Sequence, residues 1–89
     1  MELIYSPTAQ EHIEFWKKSG NKQVQKRISE LVDDIATHPT TGKSKPELLH
    51  GDLAGYWSRR ITDEHRIVYE IDFEQEKVYI LSLRYHYKK

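Results

Sequence analysis

Gly55-Tyr56-Trp57-Ser58-Arg59-Arg60-Ile61-Thr62-Asp63-Glu64-His65-Arg66-Ile67-Val68-Tyr69 is the stretch on which the fold turns. Two runs rich in β-formers, Tyr56 to Ile61 and Arg66 to Ile71, flank the polar tetrapeptide Thr62 to His65, the composition of a short hairpin loop. A third run, Lys77 to Tyr87, follows a second polar turn at Phe73 to Glu76. The last third of the chain therefore reads as a three-stranded meander, with Arg59, Arg60 and Arg66 brought together on a rigid sheet.

Working back toward the N-terminus, Glu2 to Tyr5 predicts a short strand. Ser6-Pro7 then supplies a capping hydroxyl and a proline at the first helical position. Ala9, Ile13 and Trp16 make one apolar stripe, and Gly20 ends that helix behind Lys17 and Lys18. Asn21 caps the next helix, where Val24, Ile28, Leu31, Val32 and Ile35 form the clearest amphipathic pattern in the chain before His38-Pro39 stops it. Neither helix has anywhere to bury its stripe except a sheet face. The expected fold is α+β: an N-terminal strand and a two-helix hairpin packed on one face of a mainly antiparallel sheet, in a single domain over residues 1–89.

The bulk numbers narrow the function. Eighty-nine residues bury roughly 60–65% of their surface on folding, which leaves stability thin without a partner. With no cysteine there is neither a disulfide framework nor a Cys-based metal site, and no apolar run approaches the ~18 residues of a membrane span. No signal-peptide pattern opens the chain, so the cytoplasm is the expected compartment. Fourteen basic residues balance fourteen acidic ones, so any basic site has to be local: Lys43, Lys45, Arg59, Arg60 and Arg66 fall close together, while Asp72, Glu74 and Glu76 collect at the second turn. The five histidines show no metal-ligand spacing, and no metal or cofactor is expected.

Between the helices and the meander lies Thr40 to Ala54, a long stretch without periodicity, the kind that carries function in small domains. Gly42-Lys43-Ser44 does not open a phosphate loop, because the first glycine of that motif would fall on Thr37, inside a helix. By residue type alone the basic cluster reads as a solvated face and Glu47 as an exposed loop carboxylate on the backbone that Pro46 stiffens. In the strand reading, Arg66 projects opposite Ile67, Tyr69 and Ile71, and in the last strand His86 alternates with Arg84 and Ser82, opposite Leu81, Leu83 and Tyr85. Polar groups thus gather on one face of the sheet. Trp16 and Trp57 read as core; Tyr56, Tyr85 and Tyr87 suit either packing or base stacking.

Taken in order, Gly42-Lys43-Ser44-Lys45-Pro46-Glu47-Leu48-Leu49, then Gly55 to Tyr69, then Arg84-Tyr85-His86-Tyr87 resemble the YoeB (Txe/YoeB) toxins over essentially the whole chain. The resemblance implies a RelE-like microbial ribonuclease fold. It also implies a ribosome-associated mRNA endonuclease, neutralised by a YefM-like antitoxin. It assigns Glu47, Arg66 and His86 as the catalytic set, adds Tyr87 beside them, and places Lys43, Lys45, Arg59 and Arg60 against RNA. Metal-free RNA cleavage needs a base for the 2′-hydroxyl proton, a cation for the phosphorane and an acid for the departing 5′-oxygen, roles that Glu, Arg and His suit chemically. Ribosome and mRNA are the expected partners, a homodimer is a further assembly, and no membrane is expected. Lys88-Lys89 extends past the point where the family's terminal Tyr-His-Tyr normally closes the chain. The competing reading is a noncatalytic module of the same fold, a ParE-like gyrase poison or an RNA-binding remnant.

Overall fold

The computed structural model describes residues 1–85. Along the chain it forms β1 (Glu2–Tyr5), α1 (Pro7–Ser19), α2 (Lys22–Thr37), β2 (Glu47–Leu48), a 3-10 turn over Gly51–Leu53, β3 (Tyr56–Arg60), β4 (Arg66–Asp72) and β5 (Lys77–Ser82). The strands lie in the order β1-β5-β4-β3-β2. Among the described residues the β1–β5 pairing is parallel and the other three are antiparallel.

Both helices begin and end where their capping residues dictate. The Ser6 hydroxyl accepts from the Ala9 amide at 3.0 Å and donates to the Leu81 carbonyl at 2.9 Å, so one side chain both starts α1 and ties it to the sheet. Gly20 closes α1 at φ +73°, a left-handed cap that suits glycine. Asn21 Oδ1 accepts from the Val24 amide at 3.1 Å to start α2.

The two apolar stripes meet one sheet face. Ala9, Trp16, Val24, Leu31 and Ile35 from the helices pack with Ile61, Ile67, Tyr69, Val78, Ile80 and Leu83, with Ile13, Ile28 and Val32 at the margin. At a fully buried position such as Leu31, truncation to alanine costs about 2–5 kcal/mol, a large share of a small domain's stability.

Two features were not expected. Residues 47–48 form an edge strand inside the stretch read as loop, paired with Trp57 and Ser58. The last strand ends at Ser82 rather than running on toward Tyr87. The cause lies in the pairing: Val68 opposes Ser82 while the next residue, Tyr69, opposes Ile80, so Leu81 is an extra residue in β5. This bulge reverses the phase of the strand. Val78 and Ile80 face the helices before it, and the buried Leu83 does so after it.

Candidate active site

Cross-strand partners share a face, so the register assigns the sheet's open side directly. Glu47 opposes Ser58, Ser58 opposes Val68, and Val68 opposes Ser82, a row of four strands on the side away from the helices. Arg60 opposes Arg66 in the same phase. At this end of the face Glu47, Arg60 and Arg66 line a cleft of about 320 Å³ together with Lys45, Ser44 and Arg27. A carboxylate therefore shares one concave site with four cations drawn from α2, the 38–46 loop, β3 and β4.

The loop that brings Lys45 and Glu47 there is bent by its backbone. Ser44 and Lys45 are consecutive non-glycine residues at φ +60° and +48°, conformations that cost energy and tend to gather at functional sites. From α2, Arg27 Nη2 donates to Ser44 Oγ at 2.9 Å and steadies that bend.

The loop is anchored from beneath by Arg59. Arg59 alternates with Trp57 in β3, so its phase points to the helices, and its side chain is 0% exposed. It pairs with the Asp34 carboxylate of α2, which is 16% exposed. Its guanidinium also donates to the carbonyls of His38, Thr41 (2.8 Å) and Lys43 (3.2 Å), and Nε donates to the Tyr69 hydroxyl at 3.2 Å. Tyr69 in turn donates to the Pro39 carbonyl at 2.6 Å, and burial pushes that phenol above its ordinary value. Asp34 also accepts from the Lys43 amide at 3.0 Å. The Arg59 hydrogen bond first, and the Lys43 amide next, hold the Asp34 carboxyl below its ordinary value. Gly42 lets the loop close on this carboxylate: it sits at φ +104°, and a Cβ there would run into Asp34 Oδ2.

The structure therefore corrects the expectation that Arg59 contacts RNA. Every donor of its guanidinium is engaged within the protein, and no part of it reaches solvent. Consecutive strand residues point to opposite faces, so Arg59 and Arg60 could not both be on the open side. The phase with Trp57 and Ile61 was the available signal. Of the other expected residues, Glu47, Lys45, Arg60 and Arg66 come together in the cleft. Lys43 is exposed on the loop, with its backbone serving Asp34 and Arg59. His86 and Tyr87 lie outside the described residues. Arg27 and Ser44 belong to the cleft and were missed, because nothing local in α2 distinguishes Arg27 from the other basic residues of its exposed side.

The chain leading to His86 is held closely. Trp16 Nε1 donates to the Leu83 carbonyl at 2.9 Å, and the Arg66 amide donates to the Tyr85 carbonyl at 3.2 Å. The Arg84 guanidinium lies between two rings, 3.5 Å from the Phe15 centroid and 4.6 Å from that of Tyr85.

Comparison with known proteins agrees with this architecture. Residues 5–87 match the model of the YoeB-like toxin of bacterial type II toxin-antitoxin systems. Toxin YoeB of Escherichia coli K12 is 41% identical over 87 residues, covering 98% of this chain and all of that protein. Among solved structures, a YoeB/ParE toxin from Agrobacterium tumefaciens superposes with a TM-score of 0.90 at 37% identity, covering 98% of this chain and 100% of its own. The toxin in a YoeB-YefM complex from Staphylococcus aureus gives 0.84 at 39% identity, with 98% of both chains covered. With the family model spanning nearly its whole length and relatives at this identity, the chain belongs to the YoeB toxins of bacterial type II toxin-antitoxin systems.

Proposed function

We propose that this toxin is a ribosome-dependent mRNA endoribonuclease whose active site is the cleft between the 38–46 loop and strands β3 and β4. The observation that carries this reading is the meeting of Glu47 and Arg66, from separate elements, in one basic concavity. Glu47 takes the proton of a ribose 2′-hydroxyl, whose oxygen attacks the adjacent phosphorus. Arg66 stabilises the charge that develops on the phosphorane. As the bond from phosphorus to the 5′-oxygen breaks, His86 gives that oxygen a proton, leaving a 2′,3′-cyclic phosphate upstream and a 5′-hydroxyl downstream. Lys45, Arg60 and Arg27 hold flanking phosphates, and Lys43 and Tyr87 add further contacts to the RNA.

The dependence on the ribosome follows from charge. A chain of zero formal net charge exerts little long-range pull on RNA, so productive binding needs a host that presents the message already splayed. The same cleft suits an acidic, partly disordered segment of a YefM-like antitoxin, which would mask the cations while ordering on them.

The test is induced expression with and without the antitoxin, paired with cleavage mapping on translating ribosomes and on naked message. Growth arrest, relief by the antitoxin, and cleavage confined to ribosomes are expected. Arrest that survives both Glu47→Gln and Arg66→Ala would overturn the nuclease reading in favour of a noncatalytic module, and equal rates on naked RNA would overturn ribosome dependence.

A further inference from the structure

Two histidines outside the cleft grip the backbone of residues 83–85. The Leu83 amide donates to His12 Nδ1 at 2.9 Å, and the Tyr85 amide donates to His65 Nδ1 at 2.7 Å. A backbone amide can only donate, so in this geometry each Nδ1 is the acceptor and turns its lone pair to the amide. The carbonyls of the same two residues are also taken, by Trp16 Nε1 and the Arg66 amide. The His65 ring stands edge-on to Trp16 at 4.9 Å and lies 5.7 Å from Tyr85. Within this frame Tyr85 sits at φ +63°, a conformation that persists in a non-glycine residue when its surroundings over-determine it. Burial first, then the Arg84 cation, hold the His12 imidazole below its ordinary value, with Glu11 opposing. None of these groups has a part in the cleavage chemistry described above.

We propose that His65 and His12 are positioning residues, which clamp the backbone of Tyr85 and Leu83 through unprotonated Nδ1 atoms and so set how the chain enters His86. The proposal rests on the reading of His86 as the general acid. Because Arg66 supplies its amide to Tyr85 and its side chain to the cleft, the clamp also fixes the Tyr85 backbone relative to the phosphorane cation. His12 works from α1 and His65 from the β3–β4 loop, so the alignment needs the packed fold and not one hairpin.

The test uses the full chain, isotope-labelled, with long-range nitrogen–proton spectra to read the two tautomers and amide exchange to read Leu83 and Tyr85. Both imidazoles are expected as the Nε2–H form. His65→Leu should speed Tyr85 amide exchange about tenfold with β4 amides unchanged, and His65→Asn, whose Oδ1 replaces the acceptor, should keep it slow. In single-turnover cleavage His65→Leu should lower the rate without weakening ribosome binding, and His65→Asn should restore most of it. An Nδ1–H tautomer at His65, equal exchange in both variants, or a parental cleavage rate in His65→Leu overturns the proposal. If His65→Leu does not fold, His12→Leu read at the Leu83 amide and in the same cleavage assay decides in the same way. A wild-type chain with the expected tautomers that cleaves nothing overturns the ribonuclease reading instead, which keeps the two failures apart.

Discussion

The guanidinium of Arg59 on β3 and the carboxylate of Asp34 on α2 form an ion pair beneath the loop that carries Lys45 and Glu47 to the cleft. The pair is structural, and it acts on the site through the loop: residues 38, 41 and 43 all give their carbonyls to the same guanidinium. Removing Arg59 leaves the partly buried Asp34 carboxylate and the carbonyls of His38, Thr41 and Lys43 without their shared donor. Arg59→Ala should therefore cost about 3–5 kcal/mol, read as a shift in the denaturation midpoint. Arg59→Lys should recover little, because a single ammonium cannot reproduce the five-donor fork. A near-parental midpoint for Arg59→Ala would show that the pair does not hold the loop.

Acid should loosen the same joint. The folded Asp34 carboxyl is held below its ordinary value of 3.8, so the unfolded chain takes up its proton first as the pH falls. The stabilisation is whole above the unfolded value and is lost as pH drops through the lower folded one. The stability gap between wild type and Asp34→Asn should thus be widest near pH 7 and narrow below about pH 4. Urea titrations at pH 7 and pH 3 measure it, and a gap that stays constant would mean that Asp34 gains nothing from its charge.

Gly42→Ala is the smallest change that should disturb the loop. Its added Cβ meets Asp34 Oδ2, and its φ of +104° suits glycine alone. A loss of about 1–3 kcal/mol is expected, larger than for an alanine at the exposed Thr40, which should stay within about 0.5 kcal/mol. Equal melting temperatures for the two variants would remove Gly42 from the account.

Binding and chemistry should separate within the cleft. Lys45→Ala, Arg60→Ala and Arg27→Ala each remove an exposed cation. Each should weaken RNA-dependent binding and make its dependence on log salt shallower by about 0.7 for every phosphate that the cation neutralises. Glu47→Gln and His86→Gln retain a polar group of similar reach but cannot exchange the proton, so each should slow single-turnover cleavage by about 10² to 10⁴ with binding kept. Measuring rate and affinity on the same ribosome complexes distinguishes the two groups, and a His86→Gln variant that cleaves at the parental rate would move the acid elsewhere, with Tyr87 the first candidate.

By itself the sequence determined the α+β class, both helices with their caps at Ser6, Gly20 and Asn21, the hairpin around residues 61–65 and the apolar stripes. Those features depend on side-chain period and on capping groups within a few residues, which are local and survive in any context. The order of cleft-forming motifs was legible too, through Lys45, Glu47, Arg60 and Arg66. Only the tertiary structure decided that Arg59 turns inward to Asp34, because an arginine's reading depends on what faces it across 25 residues of chain. The same holds for Arg27, which joins the cleft because a loop folds back against α2. It also holds for the bulge at Leu81, which depends on the register between β4 and β5 rather than on any turn residue. Strand phase and long-range partners are set by which surfaces meet, and that is settled when helices and sheet pack together.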